Sequence, residues 1–378
     1  MHVSIRSFLA LAVLAALAAL PFGCSKRVES SVSESPVASA EPIDESALPK
    51  RLDWAWDFAA TKRHLNTNDH AAWQVVHGLL LYGKDFQIRH DGKLVGALDY
   101  LLAGGTLKGW NLRKGDHGIV SLVEAGTKTG QGHEDQWLGY LSQCGLERTA
   151  KLVVAGENYT VDDLIKQAQW DLHDGQDGTW TLMALATYLP MDAKWTAKDG
   201  SQWDIPRIVA METAASTDGA PCGGTHRLYA LAIARNRHLK EGGTLTGPWA
   251  AADKKIRDSV KKVREFQQPD GSFSTNFFER PATSSDITLR INTTGHALEF
   301  LSVALSDDEL KAPWVTRGVD QMLHLLEETQ DFPVECGSLY HAVHALTIYR
   351  DRRFGPRSDS ASGPPVAAAG RATEPTAK

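Results

Sequence analysis

Apolar residues cluster in short blocks along residues 51–354, and the blocks come in two alternating kinds. In DHAAWQVVHGLLLYG (69–83), GHEDQWLGYLSQCG (132–145), GTWTLMALATYLP (178–190), GGTHRLYALAIAR (223–235), TGHALEFLSVAL (294–305) and GSLYHAVHALTIY (337–349), apolar side chains cover nearly the whole circumference. A helix that is apolar all round is buried on every side. Between them lie LDWAWDFAATKRHL, GKLVGALDYLLAGG, TVDDLIKQAQWDLH, WDIPRIVAMETAAS, ADKKIRDSVKKVREF and APWVTRGVDQMLHLLEE, each with one charged and one apolar side. That is the pattern of helices with one face in water. Hardly any period-two pattern competes. The stretches 107–125 and 276–291 read as long loops.

The two kinds alternate six times, so the chain repeats a unit of one outer and one inner helix. His77, His133, Trp180, His226, His296 and His341 recur near the starts of the six inner helices. Six such pairs predict an all-α fold, an (α/α)6 toroid over residues 51–354. Its inner helices run parallel and open their N-termini on one face.

The turns between helices carry a second signal. FQQPDGSFS (266–274) places Gln, Pro-Asp-Gly and an aromatic where an outer helix must end, since Pro269 cannot continue a helix and Gly271 suits a tight turn. GQDGTW (175–180) and KDGSQW (198–203) look alike. These turns resemble the Gln-Trp motifs of the terpenoid cyclase and protein prenyltransferase superfamily, and the resemblance spans most of residues 51–353. It implies the toroid and names no reaction. The Asp-x-Asp-Asp acid of the squalene-cyclase branch is absent, VDD at 161–163 lying on an outer helix. The prenyltransferase branch holds zinc through an Asp-x-Cys pair and a later His. TDGAPCGGTH (217–226) and LYHAVH (339–344) supply Asp218, Cys222, His226 and His341, with a longer Asp-to-Cys spacing than that branch uses.

Position supplies an independent argument for the same residues. Helix N-termini favour neutral imidazole and thiolate, the forms that bind metals. Cys222 and His226 stand four residues apart on one helix face. The expected metal set is Asp218, Cys222, His226 and His341, with zinc as the cofactor and His296 as a catalytic neighbour. Other readings stand beside it: histidines reused at one place in each repeat serve packing equally well, and Cys222 and Cys336 could form a disulfide. A glycan-active hydrolase or lyase would instead use the carboxylates Glu134 and Asp135, with tryptophans stacking on sugars. The third reading is a non-catalytic binding domain. Each puts a small-molecule, glycan or peptide ligand in the funnel at the inner-helix starts.

The ends of the chain add location. Residues 1–24 join Arg6 to an apolar run from Phe8 to Leu20 and end on Gly23-Cys24, which reads as a signal peptide with a lipoprotein-type cysteine. Residues 25–50 and 355–378 are Ser-, Pro-, Ala- and charge-rich and read as a linker and a tail. The expected location is extracytoplasmic: periplasmic or cell-envelope and lipid-anchored through Cys24, otherwise secreted. The membrane is a partner only through that anchor. A net charge of −6 without long basic runs argues against nucleic acid, and no phosphate-binding glycine motif occurs.

Overall fold

The computed structural model describes residues 43–62 and 64–357. The apolar leader, Cys24 and most of the expected linker and tail lie outside them. Among the described residues the fold is mostly helical, with twelve α-helices and four two-stranded antiparallel hairpins.

Six helices are buried nearly all round: α2 (Ala72–Tyr82), α4 (Gln136–Gln143), α6 (Thr179–Tyr188), α8 (Thr225–Lys240), α10 (Ile287–Ala304) and α12 (Cys336–Phe354). Each packs on the next, and α12 packs back on α2. The other six bury one face only: α1 (Leu48–Lys62), α3 (Ala97–Leu102), α5 (Val161–Asp171), α7 (Ile205–Ala214), α9 (Pro248–Glu265) and α11 (Pro313–Glu328). They lie against the first set: α1 on α12, α3 on α2, α5 on α4 and α6, α7 on α6 and α8, α9 on α8 and α11 on α10. α10 and α12 pack backbone to backbone: a Cβ on Gly295 would stand 2.8 Å from Ala342 Cα.

Local chemistry sets the helix starts. Asp204 accepts from Arg207 N at 2.9 Å, Asp286 from Thr288 N at 2.9 Å and Glu335 from Ser338 N at 2.9 Å. Such side-chain caps satisfy amides that have no partner within the helix. The 266–274 turn follows α9, on the way to α10, and packs against the start of α11. Gln267 Nε2 donates to the carbonyls of Gly271 (2.9 Å) and Trp314 (2.8 Å), and buried Phe273 meets the Trp314 ring at 6.2 Å. Gly271 has φ 96°, and a Cβ there would lie 2.7 Å from Arg317 O, so the turn requires glycine.

The strands are the departure from expectation. β1 (Gln87–His90) pairs with β2 (Lys93–Gly96), β3 (Leu112–Lys114) with β4 (Ile119–Ser121), β5 (Lys151–Val154) with β6 (Glu157–Thr160) and β7 (Lys194–Thr196) with β8 (Gln202–Asp204). Three of these hairpins run directly into α3, α5 and α7. The first half of GKLVGALDYLLAGG is therefore strand, and KDGSQW is a hairpin turn rather than a joint between helices. Each hairpin is only three or four residues long per strand and half-exposed, so its alternation is too brief to stand out. The packed chain also extends past the expected limits: Leu48 is fully buried, and Arg357 donates to Asp53 O at 2.8 Å and covers the Trp56 ring at 4.3 Å.

Candidate functional site

A cavity of about 530 Å³ is lined by residues at or near the starts of five buried helices: Trp73 and His77 on α2, His133 and Tyr140 at α4, Asp177 and Trp180 at α6, Cys222 and His226 at α8, Glu335 and His341 at α12. Asn292 and His296 also line it, farther along α10. That helix begins at Ile287, inside the stretch expected as loop, so His296 is not near its helix start. Apolar packing below each helix start brings histidines that are far apart in sequence into contact. The His296 ring lies 4.2 Å from that of His341 and 5.0 Å from that of His226, while His77 is 5.1 Å from His341.

Hydrogen bonds separate these histidines by role. His77 uses both nitrogens, Nδ1 at 2.6 Å from Trp73 O and Nε2 at 3.1 Å from Tyr140 Oη. Burial, followed by repulsion from His341, pushes it down to about 3, so it is a neutral, satisfied ring. His296 gives Nδ1 to Asn292 O at 2.8 Å, and its buried ring is coupled to the Cys222 thiol. His226 Nε2 is buried and has no hydrogen-bond partner. Cys222 Sγ completes a group whose donor atoms all lie within 4.8 Å of one another. The Cys222–His226–His296 cluster can therefore hold a metal ion. A buried His296 coupled to the Cys222 thiol, beside a second imidazole, His226, whose buried Nε2 has no hydrogen-bond partner, fits such an ion, which would displace the proton that His296 and Cys222 share.

Cys222 occupies this place through strain. Its φ is 50°, and Gly223 and Gly224 continue at 61° and 75°. A left-handed non-glycine residue costs roughly 1–3 kcal/mol and is held only by its surroundings. Here the Pro221–Gly224 turn delivers the thiol to the start of α8. Electrostatics couple the cluster. Burial alone would raise the Cys222 thiol, but its neighbour His296 outweighs burial and leaves it below its ordinary value. Burial disfavours the His296 cation, and the Cys222 thiolate more than offsets this, lifting His296 to about 9. Burial, then His296 and His341, hold His226 well below its usual range.

His341 sits beside the cluster without joining it. Its Nδ1 faces both Glu299 oxygens, at 3.0 and 3.1 Å, and His344 Nδ1 reaches the same buried carboxylate at 2.6 Å. Burial opposes the Glu299 charge, but the two histidines hold its carboxyl well below the usual range.

Of the four residues expected to hold zinc, the structure brings together Cys222 and His226; His296, expected as a catalytic neighbour, supplies the third donor, and His341, expected as a ligand, lies against them on Glu299 instead. Asp218 is exposed and does not line the cavity. None of the three described cysteines is in a disulfide, so Cys222 and Cys336 are not bridged, and the Cys336 thiol donates to Gln74 O at 3.7 Å. Glu134 is exposed. Asp135 is left-handed at φ 55°, accepts from Thr181 Oγ1 at 2.5 Å and is pushed up to about 6 by burial. Neither carboxylate lines the cavity. Sequence reasoning did not see Glu299, because a glutamate inside an apolar helix block carries no local mark. The pairing of His133 with Asp177 was equally hidden.

Comparison with family models, with curated proteins and with solved structures returns no match. No helix among the described residues is long and apolar enough to cross a membrane.

Proposed function

We propose that this chain is an exported (α/α)6 toroid whose funnel binds and turns over a ligand at a zinc centre held by Cys222, His226 and His296. The toroid reading is supported by the closed succession of buried helices, with the outer helices laid against it, and by the Gln-rich turns at 175–180 and 266–274 that resemble those of terpenoid cyclases and prenyltransferases. The extracytoplasmic reading rests on the leader and Cys24.

The observation that carries the metal centre is the convergence of one thiol and two imidazoles, each offering a donor atom within 4.8 Å of the others, in a buried place where His226 Nε2 has no hydrogen-bond partner. One thiolate and two imidazoles are donors that zinc takes in tetrahedral geometry, and a set of three leaves a position open, as catalytic zinc sites do. Zinc there supplies a Lewis acid at the floor of the funnel. The chain supplies the rest. Asn292 O fixes the His296 tautomer so that Nε2 is the donor. Glu299 pins His341 beside the centre and adds a buried negative charge that favours a dication. Trp73 and Trp180 wall the ligand space.

Cobalt substitution tests this. A cobalt-loaded protein is expected to show a thiolate-to-cobalt charge-transfer band and tetrahedral visible bands, with the visible bands shifting when acetohydroxamate is added. Absence of the thiolate band would overturn the ligand set. A thiolate band indifferent to acetohydroxamate would mean a closed, structural site.

A further inference from the structure

The funnel wall carries a second group that the metal cluster does not use. His133, just ahead of α4, places Nδ1 2.9 Å from Asp177 Oδ2, just ahead of α6. Asp177 Oδ1 lies 3.6 Å from Arg227 Nη2, and Arg227 Nε donates to the buried Glu212 at 2.9 Å. Glu212 also accepts from Gly178 N at 3.0 Å and Thr179 Oγ1 at 2.7 Å, at the start of α6. The carboxylate facing His133 is thus fixed on both oxygens by a chain of charges running into the core. Burial works against the Asp177 charge, but the bonds from His133 and Thr179 and the charge of Arg227 keep it ionised, below the usual carboxylate range.

An ionised carboxylate accepts only, so Nδ1 of His133 carries a proton, and Nε2 is the nitrogen at which the ring can gain or lose one. Nδ1 is committed to Asp177, which leaves Nε2 for the cavity. The ring keeps about a quarter of its surface exposed, enough for a ligand to reach it. The Trp180 ring touches both His133, at 6.4 Å between centroids, and His226, at 5.0 Å. One indole therefore separates this pair from the metal cluster, in the same cavity.

We propose that His133 is the acid–base group of the funnel, oriented by Asp177. It exchanges a proton at Nε2 with an O–H or N–H of a ligand that lies along Trp180 and reaches the Cys222–His226–His296 centre. The proton taken from the ligand protonates Nε2, and Asp177 stays ionised and stabilises the imidazolium through Nδ1. The ligand class this fits is a carbonyl or phosphoryl compound whose hydroxyl or amine leaves or attacks within one ring's width of the metal. The inference rests on the funnel reading above but not on zinc being bound.

Diethyl pyrocarbonate, which acylates an unprotonated and accessible imidazole nitrogen, is the probe, with peptide mass spectrometry to count each histidine at pH 8.5. His133 is expected to react at least as fast as His324, although its side chain is 25% exposed against 52% for His324. Asp177→Asn presents an amide that favours the opposite tautomer and is expected to slow His133 by tenfold or more, leaving His324 unchanged. Asp177→Glu, which retains the acceptor, is expected to restore most of the rate and controls for folding. A slow His133, or a rate indifferent to Asp177→Asn, would overturn the inference. Zinc content measured on the same samples separates this from the metal reading: a protein that takes up no zinc yet shows a fast, Asp177-dependent His133 refutes only the latter.

Discussion

Replacing Asp135 by Asn is expected to stabilise the protein at neutral and alkaline pH. The carboxyl is enclosed at the start of α4, near Glu134 and Asp171, and accepts one side-chain hydrogen bond, from Thr181. Burial, opposed only in part by that bond, raises it from 3.8 to about 6. The folded chain therefore holds this proton more tightly than the unfolded chain does, and stability falls as pH rises from about 4 to 6. The interval corresponds to about 3 kcal/mol lost at full ionisation. The side chain keeps some solvent contact, which reduces the figure to about 1–2 kcal/mol. Asparagine removes the charge, can still accept from Thr181 and tolerates the left-handed backbone at φ 55°. Thermal unfolding followed by circular dichroism should place Asp135→Asn about 2–6 °C above the parent at pH 8. At about pH 2.5, well below the unfolded value of 3.8, aspartic acid is protonated in both states and the two should melt together. Equal melting at pH 8, or a gap of the same size at both pH values, would show that burial does not govern this carboxyl.

Glu299→Gln removes the buried charge beside the metal cluster and loosens His341; zinc affinity measured against a chelating dye should fall about 10- to 100-fold, and an unchanged affinity would separate Glu299 from the site. Iodoacetamide should alkylate Cys222 of zinc-free protein at pH values where an ordinary thiol is inert, His296→Gln should suppress this, and Cys144, which burial raises to about 12, should stay unmodified throughout; equal reactivity of the two thiols would contradict the coupling. Gly295→Val should cost about 1–3 kcal/mol in urea unfolding, because its side chain meets the α12 backbone at Ala342, and a neutral outcome would mean that α10 and α12 do not approach this closely.

What was legible in the sequence was what repeats. Blocks such as TLMALATY and HALEFLSVA are apolar on every side, and that alone marked all six buried helices. The hairpins before α3, α5 and α7 escaped because three or four residues of alternation do not rise above background. Cys222, His226 and His296 were legible as chemistry from residue type and from the recurrence of histidine in each inner block, but not from helix geometry. Cys222 lies in the left-handed turn before α8 and not on its face, and His296 is ten residues into α10. Their grouping without Asp218 was not legible. Only the left-handed turn at Cys222–Gly224 decides that the thiol enters the cavity while Asp218, four residues earlier, stays in solvent. Glu299 and Asp177 act through residues more than forty positions away in sequence, and no local pattern encodes such pairs.

Zinc stoichiometry of the purified chain, by elemental analysis after equilibration with zinc and gel filtration, tests the central claim most directly. Close to one zinc per chain is predicted for the parent and for Asp218→Asn, and essentially none for Cys222→Ser or His296→Gln. A metal-free parent, or a Cys222→Ser variant that retains its zinc, would contradict the Cys222–His226–His296 centre and return these histidines to packing.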